Sequence, residues 1–341
     1  MGRKTKFNSI TSPELLAQVN PKNTELVNDF INYMKSVDKS PKTIDAYQSD
    51  LEIAMVWNLQ FNNNKFFVDW TKRNVVAYQN WLINTNGNSP ARVRRLKATL
   101  SSLSKYIETV LDDEFPNFRN IINKVESPVN QPVREKTVLT DEQCDALLSD
   151  LVKREQYDKA CMFALALYSG RRKAELVKFK VSDFNEDRLV CGGALYKSAP
   201  MRTKGRGVNG KQLECFTLAT KFDPYLKLWM EYRKSNGIES EWLFPKPGNP
   251  NEAMAPETLN SWANTFSRMI GMDFYWHSCR HYTCSSFIRA GLPDSVIQQY
   301  FGWADISMVP VYNDIGADEQ LAMYFTEEGI ITPERKSFSD I

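Results

Sequence analysis

From Lys124 to Lys136 the chain carries two prolines, Pro128 and Pro132, and no apolar repeat at helical spacing. Proline lacks a backbone N–H and its ring clashes inside a helix, so this stretch extends neither a helix nor a sheet. It reads as a linker, and it divides the 341 residues into two folding pieces, each long enough to bury a core. The expected order is a basic, irregular leader at 1–21, a helical domain at 22–123, the linker at 124–136, a second domain at 137–315 and a tail helix at 316–341.

The first piece is helical by pattern. Leu26, Phe30, Tyr33 and Met34 make one apolar stripe at helical spacing. Ser40-Pro41 and Ser89-Pro90 each set a capping oxygen before a proline at the first helical position. Behind these caps, Ile44, Tyr47, Leu51 and Met55, and then Val93, Leu96, Leu100, Leu103 and Ile107, face a core; a further helix is expected at about 73–83. Beyond the linker Thr140 caps a new helix. The second piece is mostly helical, interrupted by short strands at Leu189–Tyr196 and Gln212–Leu218 with a loop holding Gly205, Gly207 and Gly210 between them. The expected class is mainly α with a small β-sheet.

Composition removes several alternatives. At 42% hydrophobic and 25% charged residues the chain is an ordinary globular one. Its longest apolar run, Ala160–Tyr168, falls far short of the roughly 18 residues that suggest a spanning helix. No apolar segment follows the charged start, so no export signal is expected and the cytoplasm is the expected location. Six scattered cysteines without a C-x-x-C pair read as free thiols. The only two histidines, His277 and His281, exclude any three-histidine metal centre.

The near-neutral total charge of +2 conceals an asymmetry. Residues 1–136 hold 19 Lys+Arg against 14 Asp+Glu, and the stretch after Tyr312 holds seven acids against Arg335 and Lys336. On the helix at 90–107, Arg92, Arg94, Arg95, Lys97 and Lys105 lie off the apolar stripe with no acid before Glu108. That pattern suits phosphate contact, with a solvated face as the alternative.

Four groups in the second piece carry possible chemistry. The loop from Lys197 to Lys211 holds Lys197, Arg202, Lys204, Arg206 and Lys211 and no acid, which fits a phosphodiester backbone or a charged hairpin tip. Ser169-Gly170-Arg171-Arg172 ends one helix and starts the next, placing Glu175 where it could orient Arg172 or form an ordinary surface pair with it. His277, Arg280 and His281 share a helical face; a metal site using both histidines is the alternative there. Gly302-Trp303 precedes Tyr312 by nine residues from the tryptophan, with Pro310 set to interrupt or delay the helix carrying that tyrosine.

In order, the chain thus offers G-x-R-x-x-E, a hairpin lysine, H-x-x-R-H, G-W and a tyrosine. This resembles the catalytic domain of the tyrosine site-specific recombinases, the phage integrase family, over about residues 137–315. Residues 22–125 resemble the family's helical core-binding domain, with Ser40-Pro41-x-Thr43 and Tyr47-x-x-Asp50-Leu51 as markers. The resemblance implies a two-domain, Cre- or Xer-like clamp without a separate arm-binding domain. It implies Arg172 and Arg280 as a phosphate clamp, Tyr312 as nucleophile, His277 as the proton-handling residue and Trp303 in the place where most members have His. Lys204 is the implied hairpin lysine because Arg202-Thr203-Lys204 matches the Cre-like hairpin, with Lys211 as the alternative; Glu175 and His281 are supporting residues. It further implies a 3′-phosphotyrosine intermediate formed without metal or ATP, double-stranded DNA with inverted-repeat half-sites as partner, a dimer on each site and a tetramer in the synapse. A topoisomerase of the same chemistry and a silent DNA-binding protein are the competing functions.

Overall fold

The structure is a computed structural model and describes residues 10–129, 137–203, 210–326 and 329–330. They form two compact units, residues 10–129 in the first and those from 137 onward in the second.

The first unit consists of α1 (Pro13–Leu16), α2 (Pro21–Ser36), α3 (Pro41–Phe61), α4 (Lys72–Asn80) and α5 (Pro90–Val110). Four of these start on one device. Ser12, Asn20, Ser40 and Ser89 each accept a backbone N–H from the first turn, and each precedes a proline at its start. The proline presets φ where no N–H is needed, and the cap satisfies an orphan donor. Leu26, Phe30, Met34, Leu51, Met55 and the whole α5 stripe of Val93, Leu96, Leu100, Leu103 and Ile107 are buried together. Tyr33 differs from its expected place, being 36% exposed. The supposed leader is partly folded, since α1 forms and Val19 is buried in this core. The start of the supposed linker is also packed: Ile122 is buried and Val125 lies against the core. The expected helix at 73–83 stops at Asn80 and passes into a wider π turn, Trp81–Thr85.

In the second unit α6 (Asp141–Lys153), capped by Thr140 as the pattern requires, precedes α7 (Tyr157–Ser169) and the one-turn α8 (Lys173–Leu176). The nine-residue apolar run lies in α7, which is buried on nearly every side. The sheet differs from expectation. Positive φ at Cys191, Gly192 and Gly193 breaks the first strand into β1 (Leu189–Val190) and β2 (Leu195–Lys197). β3 (Met201–Thr203) forms within the expected loop and pairs antiparallel with β4 (Lys211–Leu213), whereas β2 pairs with β5 (Phe216–Leu218). Lys204 and Arg206 lie outside the described residues.

Next come α9 (Ala219–Ser235), the hairpin β6 (Pro245–Lys246) with β7 (Asn249–Ala253), and α10 (Thr258–Ile270). Then α11 (Trp276–Arg289), α12 (Asp294–Phe301) and α13 (Met308–Tyr312) share a core of Cys284, Phe287, Phe301, Trp303, Val309 and Ile315. The tail helix expected at 316–341 is shorter: α14 (Ala317–Ala322) buries no residue, and β8 (Phe325–Thr326) with β9 (Gly329–Ile330) follows it. No described helix is long and apolar enough to cross a membrane.

Candidate active site and nucleic-acid interface

Gly170 opens the site. It ends α7 at φ +59°, a conformation glycine adopts without strain. A methyl group there would lie 2.3 Å from Cε1 of Phe301, so the position excludes a side chain for space as well. The turn places Arg172 just before α8, where buried Glu175 receives both its backbone N–H and its Nη1, each at 3.2 Å. This is more than a surface ion pair, because the carboxylate holds the guanidinium at one end and leaves its other edge partly exposed. Arg171, which the sequence did not single out, is buried and donates to the carbonyls of Tyr300 and Phe301. It pins the end of α12 to this same turn.

Arg280, on α11, is fully buried. Its Nη1 donates to the Gly170 carbonyl at 2.8 Å, and its guanidinium carbon lies 4.6, 5.1 and 5.2 Å from the ring centres of Phe301, Trp303 and Tyr312. Burial, and then the charges of Arg172 and Arg171, push its pKa down to about 10, so it remains cationic at neutral pH. Its Nε and Nη2, and the indole Nε1 of Trp303, have no hydrogen-bond partner among the described residues. Buried donors of this kind are costly unless something accepts from them.

Tyr312 closes the group. Its ring stacks on Trp303 at 5.0 Å and 17°, and Trp303 in turn stacks on Phe301 at 4.4 Å. His277 and His281 meet the tyrosine ring at 5.2 and 4.8 Å. The side chain is buried at 5% exposure. Pro310 disturbs nothing, because α13 begins only at Met308 and its first turn needs no N–H from the proline. The helix starts late rather than kinking.

The fold therefore brings Arg172, Glu175, His277, Arg280, His281, Trp303 and Tyr312 into one neighbourhood. Lys211, the alternative hairpin lysine, donates its ammonium to the Gly302 carbonyl at 2.9 Å and ties β4 to the turn before Trp303. Arg202 is exposed on β3. Both histidines are present but His281 is committed to Asp314 at 3.0 Å, and no group of three or more metal-ligating side chains occurs among the described residues.

His277 stands at the rim and is held neutral. Partial loss of water around the ring, followed by the neighbouring His281 and the charges of Arg280 and Arg172, lowers its pKa from 6.5 to about 4. A neutral imidazole has a lone pair with which to receive a proton. The chain has two histidines, so proton NMR resolves them directly. One imidazole should stay unprotonated from pH 8 to below pH 5.5, and that signal should vanish in His277→Gln. A midpoint between 6 and 7 for that signal would contradict a ring held neutral by its cationic surroundings and partial loss of water.

The basic face of α5 needs correction. Arg92 and Arg95 have an acid after all, since buried Asp50 of α3 binds Arg92 Nη1 at 2.6 Å and Arg95 Nε at 3.2 Å, and also accepts from Thr99. Both arginines keep partial exposure, and Arg94 is exposed. Lys97 does not belong with them. It is 4% exposed, and its ammonium donates to Gln79 Oε1, Val125 O and Glu126 O. A long stem turned inward along the helix reaches carbonyls that no single-helix pattern reveals.

Comparison with known proteins gives a family match in each of the two units. The Phage integrase family model matches residues 137–319, and the Phage integrase, N-terminal SAM-like domain model matches 26–117. The SPbeta prophage-derived recombinase-like protein YomM of Bacillus subtilis (strain 168) is 29% identical over 269 residues, covering 77% of this chain and 76% of that protein. Tyrosine recombinase XerA of Pyrococcus horikoshii is 24% identical over 301 residues, covering 86% of this chain and 90% of its own. The crystal structure of a lambda integrase(75-356) dimer bound to a COC' core site aligns over 85% of this chain and 95% of that one, with a TM-score of 0.62 at 15% identity.

Proposed function

Since this chain belongs to the phage integrase family, we propose that it is a site-specific DNA recombinase whose nucleophile is Tyr312. The observation that carries the residue assignment is the buried Arg280, whose two unmatched donors lie in the same aromatic box as the tyrosine ring. A phosphodiester accepts from both. The Tyr312 oxygen attacks phosphorus, the bond to the 5′-oxygen breaks, and the 3′ end remains as a phosphotyrosine that the returning 5′-hydroxyl later attacks. Negative charge grows on the non-bridging oxygens, where Arg172 and Arg280 answer it with fixed forks and Trp303 with its N–H. Neutral His277 receives the phenol proton, and Lys204 supplies one to the leaving oxygen. Glu175 holds Arg172, and His281 supports the tyrosine. The phosphotyrosine conserves the bond energy, so neither metal nor ATP enters.

The partner is duplex DNA with inverted half-sites, bound by a dimer on each site as in the lambda integrase structure, with a tetramer in the synapse. Leu321 and Phe325 are 55% and 54% exposed, which suits a tail that packs on the next protomer. The enzyme is placed in the cytoplasm, with the DNA. To test the function, duplexes bound by the chain are selected from a random pool, and the selected site is rebuilt with a nick that traps cleavage. A covalent adduct at a 3′ phosphate, with exchange between two labelled copies of the site, is expected. Relaxation of supercoiled plasmid without exchange would select the topoisomerase instead.

In the helical unit, Arg92, Arg94 and Arg95 are assigned to phosphates; in the second unit Arg202 and Arg206 are assigned with them. Arg92→Gln should weaken binding to all sequences alike and lower the salt slope by about one. Lys97→Met should leave that slope unchanged and lower the stability of the unit by about 2–4 kcal/mol, because three acceptors lose a charged donor. Salt-dependent binding and denaturant melts separate the two, and a slope change for Lys97→Met at full stability would restore it to the DNA face.

A further inference from the structure

The end of α13 is held by a device that the catalytic chemistry does not use. At Asn313 the chain leaves the helix at ψ 117° and turns Asp314 inward. Its carboxylate meets His281 Nδ1 at 3.0 Å through Oδ2 and 3.2 Å through Oδ1, with side-chain exposures of 3% and 10%. One turn further along α11, the Ser285 hydroxyl accepts the Asp314 backbone N–H at 2.9 Å and lies 3.5 Å from the Tyr312 carbonyl. The same His281 ring touches the Tyr312 ring. α11 thus grips both the tyrosine and the residue two places after it.

We propose that the His281–Asp314 pair is a positioning latch for Tyr312, holding the phenol in the site built by its own chain and so setting the rate of DNA cleavage without touching DNA. The proposal rests on the reading of Tyr312 as nucleophile. Physical necessity supports it: a five-residue helix cannot hold its own shape in water, so the placement of Tyr312 depends on what anchors its ends. Val309 and Ile315 supply apolar anchors, but apolar contact is non-directional and tolerates a slide or a rotation. A hydrogen bond to a carboxylate in a dry site tolerates neither, because it is directional and leaving either buried partner alone there is costly. The carboxylate also fixes the imidazole tautomer, with the proton on Nδ1.

Reacting atoms must come within a few tenths of an ångström of their productive spacing, and a misplacement of about 1 Å costs on the order of 100-fold. The test uses the full chain with Asp314→Ala, His281→Ala, both together, and Asp314→Asn, which keeps an acceptor for the Nδ1 proton at unchanged volume. Three quantities are read: single-turnover adduct formation on the nicked duplex at saturating protein, the DNA Kd, and hydrogen exchange of amides 313–315. Each alanine variant should cleave about 10- to 100-fold more slowly with Kd within about twofold, and exchange at 313–315 should accelerate while α11 stays protected. Asp314→Asn should recover part of the rate, and the double variant should be no slower than the slower single one, as for partners in one interaction.

Additive losses, or slowed cleavage with 313–315 still protected, would overturn the latch. So would full-rate cleavage by the alanine variants. If those variants unfold, Asp314→Asn decides: wild-type rate and wild-type exchange would support a hydrogen-bonded latch, whereas slow cleavage with unchanged exchange would refute it. Absence of any Tyr312 adduct from the wild-type chain would instead remove the functional reading beneath it.

Discussion

Tyr312→Phe should bind its duplex with unchanged affinity and form no covalent adduct, a loss of cleavage beyond about 1,000-fold. Only one oxygen is removed. The ring remains stacked on Trp303 at 5.0 Å and packed against His277 and His281, so the box around Arg280 keeps its shape. What disappears is the proposed nucleophile, and under that assignment no other step of the transesterification can begin without it. The measurement is adduct formation on the nicked duplex, with the linkage mapped by digestion and mass spectrometry. An adduct on a different residue, or one joined through a 5′ phosphate, would sink the assignment.

Replacing Arg280 should separate activity from stability. Arg280→Met is expected to cut the cleavage rate by about 100- to 1,000-fold, the usual cost of removing one preorganised donor to a developing anion. It should nevertheless raise the unfolding free energy by about 1–2 kcal/mol, because an unpaired buried charge is replaced by an apolar side chain of similar volume. The Gly170 carbonyl loses a donor in that variant, which keeps the gain small. Such a trade is the mark of a group retained for chemistry. Arg280→Lys keeps the charge but not the fork, and should recover little of the rate. Denaturant melts and single-turnover cleavage, run together, test both halves. A destabilised Arg280→Met with cleavage above one-tenth of wild type would place the residue in the scaffold instead.

Some of this molecule was legible before any coordinates. The cap-and-proline starts at Ser40 and Ser89, the α5 stripe and the glycine that ends α7 are local matters, decided within one or two turns of chain by hydrogen bonding, φ and apolar periodicity. That Arg172, His277, Arg280, Trp303 and Tyr312 belong to one neighbourhood was legible too, from the order and spacing of their motifs. Even so, the pattern on α5 misassigned Lys97. Periodicity describes how one helix distributes its side chains between a stripe and a face. It does not say what waits beyond the face.

The tertiary structure decided everything that depends on a partner distant in sequence. Asp50 binds both Arg92 and Arg95 from a different helix, and the carbonyls of Val125 and Glu126 receive Lys97 from the start of the supposed linker. Arg171 turns inward to α12 while Arg172 beside it turns out to Glu175, a difference that two adjacent identical residues cannot announce. Asp314 meets His281 across 33 residues, and the late start of α13 makes Pro310 harmless. Local sequence determines φ, ψ and which stripe is apolar, because those energies arise between near neighbours. Electrostatic and hydrogen-bonding partners are set by distances of a few ångströms in space, and those distances exist only once the core has closed.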